Sequence, residues 1–331
     1  MIRAAKDDRG VILIALLWIL VALSVIALSF SRESFVEVAV ARNARDMGDA
    51  YYVARAGIAA AVYRLSEKRY ATPPVQGVEL PGASDPVELG ELQGDFGGGS
   101  FKVEIQDESG KISLNIVGEE YLRSLVESVG IGKPDSDVIV DSIMDWRDVD
   151  TAHRINGAED AYYQSLPRPY KTKNGRIESV EELLLVRGVT RDYFYSHREK
   201  GADGAAVSRY GLSRYFTAYY NSNRINVNSA PLQVLMAIPG MPPQAADHIY
   251  QRRKTKPYRT QAEIMQDVAV PLPPTVAPLL STDTTGTYTL TASAHMQGSK
   301  VQRVIRCVVN LDPREPNWYR ILYWNENIPN L

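Results

Sequence analysis

The sequence predicts an α+β protein: one long N-terminal helix packed on a small antiparallel sheet, with a large helical domain inserted in the sheet. Three observations predict this fold. An uncharged run of residues continues into an amphipathic stretch with no proline to interrupt it. Segments that alternate between apolar and polar residues lie on both sides of a long region with helical patterning. The chain of 331 residues is long enough for two modest domains.

The uncharged run covers residues 11–30 and reads VILIALLWILVALSVIALSF. At about 1.5 Å per residue a helix of this length spans about 30 Å, the hydrocarbon thickness of a bilayer. We therefore expect residues from Val11 through Trp18 to Phe30 to anchor the chain in a membrane. A cleaved signal peptide is the alternative, because Ala27-Leu28-Ser29 resembles a cleavage site, but such peptides usually have an apolar region of about 7 to 15 residues.

Residues 31–70 are predicted to continue this helix as an amphipathic half. Apolar side chains recur there every three or four positions, which places them on one helical face. That face requires a folded surface to pack against. Its predicted members are Met47, Tyr51, Ala54, Ile58, Val62 and Leu65.

A short charged segment, residues 1–10, precedes the apolar run. Its three basic residues favour a cytoplasmic location for this end, so the body after Phe30 is expected outside the inner membrane. A charged leader that ends in Gly and abuts such a helix resembles the type IV pilin and pseudopilin family. The resemblance implies cleavage after Gly10 by a prepilin peptidase and methylation of the new N-terminus at Val11.

One position departs from the general pilin pattern. Most pilins carry Glu at the fifth mature position, where this chain has Ala15. In the family, that carboxylate neutralises the N-terminal amine of the subunit ahead. An unpaired charge at the bilayer centre costs about 2.5 to 3.5 kcal/mol or more. The absence of Glu fits a subunit at the filament tip, which has no neighbour ahead, and sequence drift is the alternative.

Two pairs of alternating segments predict a four-stranded antiparallel sheet. We expect this sheet to provide the surface that the amphipathic half of the helix requires. Residues 72–99 are rich in Pro and Gly and are predicted to be loop. The lone Cys307 lies in the last strand segment and is predicted to be a small buried side chain. The strand segments are 100–106 with 111–115, and 287–294 with 301–311.

The most distinctive region is Asp145 to Tyr170, DWRDVDTAHRINGAEDAYYQSLPRPY. Together with DESGKISLN at 107–115, SVEELLLVRGVT at 179–190 and INVNSAPLQVLMAIPGM at 225–241, it closely resembles the general secretion pathway protein K family. The resemblance covers nearly the whole chain, from the leader to the final hairpin. It implies a pseudopilin fold and a non-enzymatic minor pseudopilin at the tip of the type II secretion pseudopilus, which helps to initiate and cap the filament during protein export through the outer membrane.

The resemblance also implies partners and a location. The implied partners are the I-type and J-type minor pseudopilins, the major pseudopilin, the prepilin peptidase and the inner-membrane assembly platform. The implied location is the inner membrane, crossed once, with a cytoplasmic N-terminus and a periplasmic body. The predicted parts of the chain are a leader (1–10), the transmembrane (11–30) and amphipathic (31–70) halves of the helix, an αβ body (71–115 and 286–311), an inserted helical domain (116–222), a second helical segment (223–285) and a C-terminal tail (312–331).

Five carboxylates crowd into the distinctive region and indicate a metal site. A loop that holds them together suffers charge repulsion, which a hard cation relieves, and Ca²⁺ takes about six to eight oxygens from such loops. The alternative is a set of solvated carboxylates that cap helices and pair with Arg147, Arg154 or Arg168. The resemblance implies calcium, because the helical domain of the K family binds it. The candidate ligands are Asp145, Asp148, Asp150, Glu159 and Asp160.

Two segments resemble helix-hairpin-helix units: residues 180–193 around Gly188 and residues 231–250 around Gly240. Such hairpins present backbone N–H groups to DNA phosphates, and a basic run at 252–259 follows the second one. The alternative function is therefore a membrane-anchored DNA-binding protein of the DNA-uptake type. The net charge of −2 opposes that reading.

Sequence patterns of an enzyme are also missing. G-x-S-x-G, P-loop and H-E-x-x-H motifs are absent, and the four histidines are scattered. The sequence therefore predicts a protein without a catalytic site.

Overall fold

The computed structural model describes residues 9–70, 90–200, 206–268 and 270–326. Nearly all of the predicted leader lies outside the described residues, as does most of the predicted loop, at 71–89. Gly10 and Val11 fall in the first turn of a helix, where only the backbone is described.

The elements of the described residues are numbered here in chain order. The α-helices are α1 (Arg9–Tyr70), α2 (Glu119–Ser128), α3 (Lys133–Arg147), α4 (Asp160–Tyr163), α5 (Arg191–Tyr195), α6 (Leu232–Ala237), α7 (Pro243–Arg252) and α8 (Gln261–Asp267). The strands are β1 (Glu91–Phe96), β2 (Gly99–Asp107), β3 (Ile112–Ser113), β4 (Ser196–Lys200), β5 (Ala206–Tyr210), β6 (Phe216–Thr217), β7 (Ile225–Asn226), β8 (Leu280–Ser281), β9 (Thr287–Met296), β10 (Gln302–Leu311) and β11 (Tyr319–Asn325). Short 3-10 helices cover Glu108–Gly110, Val180–Leu185, Leu212–Arg214 and Ala277–Leu279.

Helix α1 is continuous over 62 residues, in agreement with the sequence. Its first half is exposed: the side chains of Leu13 and Phe30 are 70% and 71% accessible. From Ala50 onward one face is buried, whereas Met47, one turn earlier, remains 45% exposed. The predicted stripe is confirmed at Ala54, Ile58, Val62 and Leu65, which belong to the core shared with the sheet.

A five-stranded sheet covers the second half of α1. Its strand order is β1-β2-β9-β10-β11, and every neighbouring pair is antiparallel. Residues that alternate along β9 and β10, such as Leu290 and Ile305, fill the core between sheet and helix. Cys307 is a free thiol in this core, and burial raises its pKa to about 12. The predicted fold class is therefore confirmed.

The predicted four-stranded sheet is wrong at residues 111–115. Within this segment only β3 is extended, and it pairs in parallel with β6, outside the main sheet. The 3-10 turn after Asp107 redirects the chain. A Cβ atom at Gly110 would lie 2.6 Å from the backbone of Ser229, so the chain passes directly against the second helical segment at this point.

Two edge strands were not predicted. Strand β1 forms from residues that were predicted to be loop, and β11 forms from the predicted C-terminal tail. Both gain their hydrogen bonds from a neighbour in the sheet, and their own sequences alternate only weakly. Because β-propensity is set largely by such neighbours, a sequence read alone under-predicts edge strands.

The chain between β2 and β9 forms the helical domain, which has its own apolar core. It contains two copies of one arrangement: the first copy (residues 112–217) and the second copy (residues 225–281). Each copy begins with a two-residue strand that pairs in parallel with a strand at its end, β3 with β6 and β7 with β8. Hairpins at Gly130 and Gly240, with φ of +92° and +79°, join α2 to α3 and α6 to α7.

The helical domain leaves the sheet beside the C-terminal end of α1. At the start of β2, a Cβ atom at Gly99 would lie 3.0 Å from Val53. At the opposite end of the sheet, Arg69 donates from Nη1 to the carbonyl of Thr284 at 3.4 Å. A Cβ atom at Gly286 would lie 2.8 Å from Cζ of Arg69. The domain therefore attaches at the end of α1 that is farthest from its exposed apolar half.

Candidate functional site

The predicted membrane anchor is the exposed half of α1. The segment Leu13–Tyr70 contains a window that is long and apolar enough to cross a membrane, and that window is not buried by other parts of the chain. Trp18 and Phe30 are both exposed there. The chain therefore combines one apolar helix with a folded body, an arrangement that fits a single membrane anchor.

The acidic region follows α3 and is organised by Arg154. Asp145, in the last turn of α3, is fully buried and accepts from the backbone N–H of Arg154 and from its Nη1 at 2.7 Å. The same guanidinium donates to Oδ2 of Asp148 at 2.9 Å. A Cβ atom at Gly157 would lie 1.9 Å from Oδ2 of Asp145, so only glycine fits beside this carboxylate.

Two of the five predicted ligands hold the loop backbone. Asp150 accepts from the N–H of Ala152 at 2.8 Å. Asp160 accepts from the N–H of Thr172 at 2.8 Å and from Nε2 of Gln164 at 3.2 Å. These contacts tie the loop to itself and are neither helix caps nor arginine pairs. The part of the alternative that the structure shows is the pairing of Arg154 with Asp145 and Asp148.

Glu159 is different, because its carboxylate is buried and neither oxygen has a hydrogen-bond partner among the described residues. Burial raises its pKa, and the charges of Asp145 and Asp148 raise it further, while the nearby side chains of Thr172 and Asn174 act in the opposite direction. Oδ1 of Asp148, Oγ1 of Thr172 and Oδ1 of Asn174 are likewise buried without a partner in that part of the chain.

We call this group the oxygen cluster: Asp148, Glu159, Thr172 and Asn174. Sequence reasoning missed Thr172 and Asn174, which follow the carboxylates by more than ten positions. The available signal was the Asn-Gly pair at 174–175, and Asn174 has a left-handed backbone with φ of +44°, which Asn tolerates better than most residues. Within the described ranges, groups of three or more His, Cys, Asp or Glu do not converge on a common point that could hold a metal. A metal at the oxygen cluster would therefore need the neutral oxygens as well.

The two predicted helix-hairpin-helix units differ from expectation. Residues 180–193 form a 3-10 helix and the short α5, and the counterpart of the α6–α7 hairpin is α2–α3. In the α6–α7 hairpin, Pro239, Pro242 and Pro243 lack the N–H groups that a phosphate would require.

The first two arginines of the basic run, at the end of α7, make contacts within the protein, whereas Lys254, Lys256 and Arg259 are exposed. Arg252 pairs with Glu263 at 2.6 Å and with Asp267 at 3.3 Å. Arg253 donates to the carbonyls of Val227 and Ala230, and burial lowers its pKa to about 10. These contacts do not support the DNA-binding alternative.

Comparison with known proteins identifies the family. Residues 106–198 match a family model described as Type II secretion system (T2SS), protein K, and residues 225–283 match a second model with the same description. Both parts of the helical domain therefore match the type II secretion system protein K family. The two matched regions fall on the first and second copies of the helical domain.

Curated relatives carry the same description over parts of the chain. Type II secretion system protein K of Pectobacterium carotovorum subsp. carotovorum is 30% identical over 121 residues, which cover 34% of this chain and 37% of the relative. The protein K of Aeromonas hydrophila is 42% identical over 69 residues, 20% of this chain and 21% of the relative. That of Pseudomonas aeruginosa is 25% identical over 174 residues, 50% of this chain and 47% of the relative. The chain thus spans less than half the length of these relatives.

A solved structure shows the same fold over most of the chain. The match is to a chain in the GspK-GspI-GspJ complex from the enterotoxigenic Escherichia coli Type 2 Secretion System, with a TM-score of 0.60 and 16% identity. It covers 86% of this chain and 98% of that chain. The long helix, the antiparallel sheet and the helical domain therefore occur together in a known structure.

Proposed function

We propose that this chain is a minor pseudopilin at the tip of a type II secretion pseudopilus, where it helps to initiate and cap the filament. The family assignment supports the secretion role. The observation that carries the tip position is the attachment of the helical domain beside Arg69, at the far end of α1.

The height of the helical domain along α1 gives a physical reason for the capping role. From Phe30, the last residue of the apolar run, to Arg69 the helix rises about 60 Å at about 1.5 Å per residue. A bulky domain at that height covers the top of the helix and obstructs a subunit that would be added above it. Ala15 supports the same position, because a tip subunit has no neighbour whose N-terminal amine requires a carboxylate.

A replacement of the helical domain tests this proposal. Asp107 and Tyr288 are register partners in neighbouring antiparallel strands, so a two-residue Asn-Gly turn between them can replace residues 108–287. The shortened chain is expected to keep the helix and sheet but to give longer or deregulated filaments. Protection of the buried Cys307 thiol from alkylation reports whether the sheet has folded. Unchanged filaments and normal secretion with a protected thiol would contradict the capping role.

The proposed location is the inner membrane, crossed once by residues 11–30, with the body in the periplasm. The proposed partners are the I-type and J-type minor pseudopilins, the major pseudopilin, the prepilin peptidase and the assembly platform, and the proposed role is structural rather than catalytic. The GspK-GspI-GspJ complex that contains the structural neighbour supports the first two partners.

Substitution Gly10→Val is expected to abolish leader processing, which mass spectrometry of the N-terminus measures. A mature N-terminus at Val11 in that variant would argue against the proposed cleavage.

We further propose that the oxygen cluster binds calcium. The supporting observation is the set of buried oxygens without partners on Asp148, Glu159, Thr172 and Asn174. Buried carboxylate oxygens are costly when unpaired, and Ca²⁺ accepts both carboxylate and amide oxygens. Bound calcium would supply a positive charge to Glu159, while Arg154 pairs with Asp145 and Asp148 and holds the loop in place.

Calorimetric titration with calcium tests this proposal. Glu159→Gln is expected to weaken calcium binding at least tenfold, because it removes the buried negative charge. The matched control is Glu178→Gln, a carboxylate in the same loop whose side chain is 82% exposed. Equal affinities in the two variants would exclude Glu159 as a ligand.

A further inference from the structure

The contact between the sheet and the helical domain is polar. The two apolar cores lie on either side of it and share no residue. We call this contact the seam and define it by Glu108, Lys111, Glu181, Tyr219, Thr289, Arg306 and Tyr323, which line one cavity. Val180, Phe216 and Val308 also line the cavity, and the rings of Tyr219 and Tyr323 lie 6.3 Å apart across it. Because the two apolar cores nevertheless do not merge here, directional polar contacts contribute to the orientation of the helical domain on the sheet.

Glu108 lies at the centre of the seam, in the connection between β2 and β3. Its side chain is fully buried, and Oε1 accepts from Nζ of Lys111 and from Oγ1 of Thr289 at 2.7 Å. The other oxygen, Oε2, is buried and has no partner among the described residues. Leaving a buried polar atom unpaired costs about 1 to 3 kcal/mol and more when the group is charged.

The helical domain and the sheet each also contribute to the seam a buried polar atom without a partner among the described residues. Glu181 belongs to the first copy and Arg306 to β10, and their nearest charged atoms are 3.9 Å apart, too far for a direct hydrogen bond. Oε2 of Glu181 and Nε of Arg306 are both buried without a partner in the part of the chain that the structure describes. Burial and the charge of Glu181 raise the pKa of the adjacent Tyr323 to about 12, which agrees with weak solvent screening here.

The cavity has a volume of about 20 Å³. A bound water requires about 10 to 15 Å³ and two to four polar partners. One water can satisfy the three buried atoms that have no partner within the described ranges, Oε2 of Glu108, Oε2 of Glu181 and Nε of Arg306. Its two hydrogens can be donated to the carboxylates of Glu108 and Glu181, and one lone pair can accept the N–H of Arg306.

We propose that the seam binds one structural water, held by Glu108, Glu181 and Arg306, and that this bridge fixes the orientation of the helical domain on the sheet. The three partners come from the connecting segment, the helical domain and the sheet. One water therefore links the three parts that must stay in register. Its loss frees the domain to tilt at the end of α1.

A crystal structure of the full chain in detergent, at a resolution that shows ordered waters, tests the site directly. The expected result is one water within about 3.2 Å of Oε2 of Glu108, Oε2 of Glu181 and Nε of Arg306. A cavity filled by a protein side chain, or one without density, overturns the proposal.

Distances between spin labels test the orientation. Labels at exposed positions Tyr63 on α1 and Gln251 on α7 are expected to give a narrow distance distribution in the wild-type chain. Glu181→Leu is expected to broaden it, whereas the exposed control Glu178→Leu leaves it unchanged. A distribution that Glu181→Leu does not broaden overturns the orienting role.

A double-mutant cycle separates the water bridge from the nearby Arg306–Glu181 charge pair. Glu108→Gln preserves size, and Arg306→Lys keeps the positive charge but removes the guanidinium Nε–H, so both variants are expected to fold. If one water connects the two side chains, the loss in free energy of unfolding caused by both substitutions together differs from the sum of the single losses. Strictly additive effects mean that no bridge couples Glu108 to Arg306, which overturns the proposal even if Glu181 matters.

Discussion

The first and second copies of the helical domain use the same hydrogen-bonded scaffold but connect it differently. In each copy an Asn after the opening strand holds a distant residue by two backbone hydrogen bonds. Asn115 bonds both the N–H and the carbonyl of Ile177, at 2.8 and 2.9 Å. Asn228 does the same to Tyr258, at 2.9 and 2.8 Å.

An arginine at the end of the second helix completes each scaffold. Arg147 and Arg253 each donate to two carbonyls of the segment that contains the Asn. Burial lowers the pKa of both side chains. The accepting carbonyls are those of Leu114 and Val117 in the first copy, and of Val227 and Ala230 in the second.

A capped helix follows in both copies. Ser179 and Thr260 are the caps, and Glu182 and Glu263 each accept backbone N–H bonds at the start of that helix. The two copies also share a short sequence pattern, Ile-Ser-Leu-Asn at 112–115 and Ile-Asn-Val-Asn at 225–228. The third correspondence shows that the similarity extends well beyond these four residues.

The copies differ between the arginine and the capped helix. Residues 254–259 make this connection in the second copy, whereas residues 148–178 make it in the first and carry the oxygen cluster. Because the second copy packs without such a loop, the acidic loop is an addition to a scaffold that is complete in itself. We therefore expect calcium to stabilise the acidic loop, residues 148–178, and to leave the stability of the scaffold unchanged.

The largest expected effect comes from removing an Asn clamp. Asn115→Ala and Asn228→Ala each delete two hydrogen bonds and leave two backbone groups unpaired, so each is expected to lower the free energy of unfolding of the helical domain by about 2 to 4 kcal/mol. Chemical denaturation followed by hydrogen–deuterium exchange measures both. A large loss in only one copy would break the structural equivalence.

A smaller effect is expected from Gly157→Ala. The new Cβ would displace the Asp145 carboxylate from Arg154, at an expected cost of about 1 to 3 kcal/mol. The matched control is Gly175→Ala in the same loop, where the nearest atom lies at 3.6 Å. Hydrogen exchange should show faster amides in the first copy alone. Equal effects of the two substitutions would mean that the close contact at Gly157 is unimportant.

Removal of calcium should act more locally still. With a chelator, amides of residues 148–178 are expected to lose protection from hydrogen exchange, while α2, α3 and the whole second copy keep theirs. Unfolding of both copies would show that the scaffold depends on the loop. Unchanged exchange in the loop would instead count against calcium binding.

The smallest expected effect is a pH dependence that changes sign with calcium. The folded pKa of Glu159 is raised, so the metal-free protein binds this proton more readily than the unfolded chain and gains stability as pH falls through the raised pKa. Calcium requires the ionised carboxylate, so the calcium-bound protein loses stability over the same range. Thermal melts with and without calcium, repeated with Glu159→Gln, measure the difference. Parallel pH profiles in the wild-type chain would contradict a role for Glu159.

Local patterns were sufficient for part of the candidate site. The carboxylates from the last turn of α3 onward could be found by counting charges, and Asp145 and Glu159 are both buried within that region. The roles of Asp150 and Asp160 as backbone acceptors could not be found, because they depend on where the loop returns at Ala152 and Thr172. The contribution of Asn174 depends on a loop closure of the same kind.

The sequence by itself determined the long helix α1, its apolar and amphipathic halves, and the three longest strands, because each is a regular pattern of neighbouring residues. Only the tertiary structure decided that β1 and β11 extend the sheet, that residues 111–115 leave it, and that the oxygens of Thr172 and Asn174 come close to Glu159. Those outcomes depend on contacts between residues that are distant along the chain. The free energy of such contacts comes from pairing and burial in the folded protein, which a periodicity in the sequence does not record.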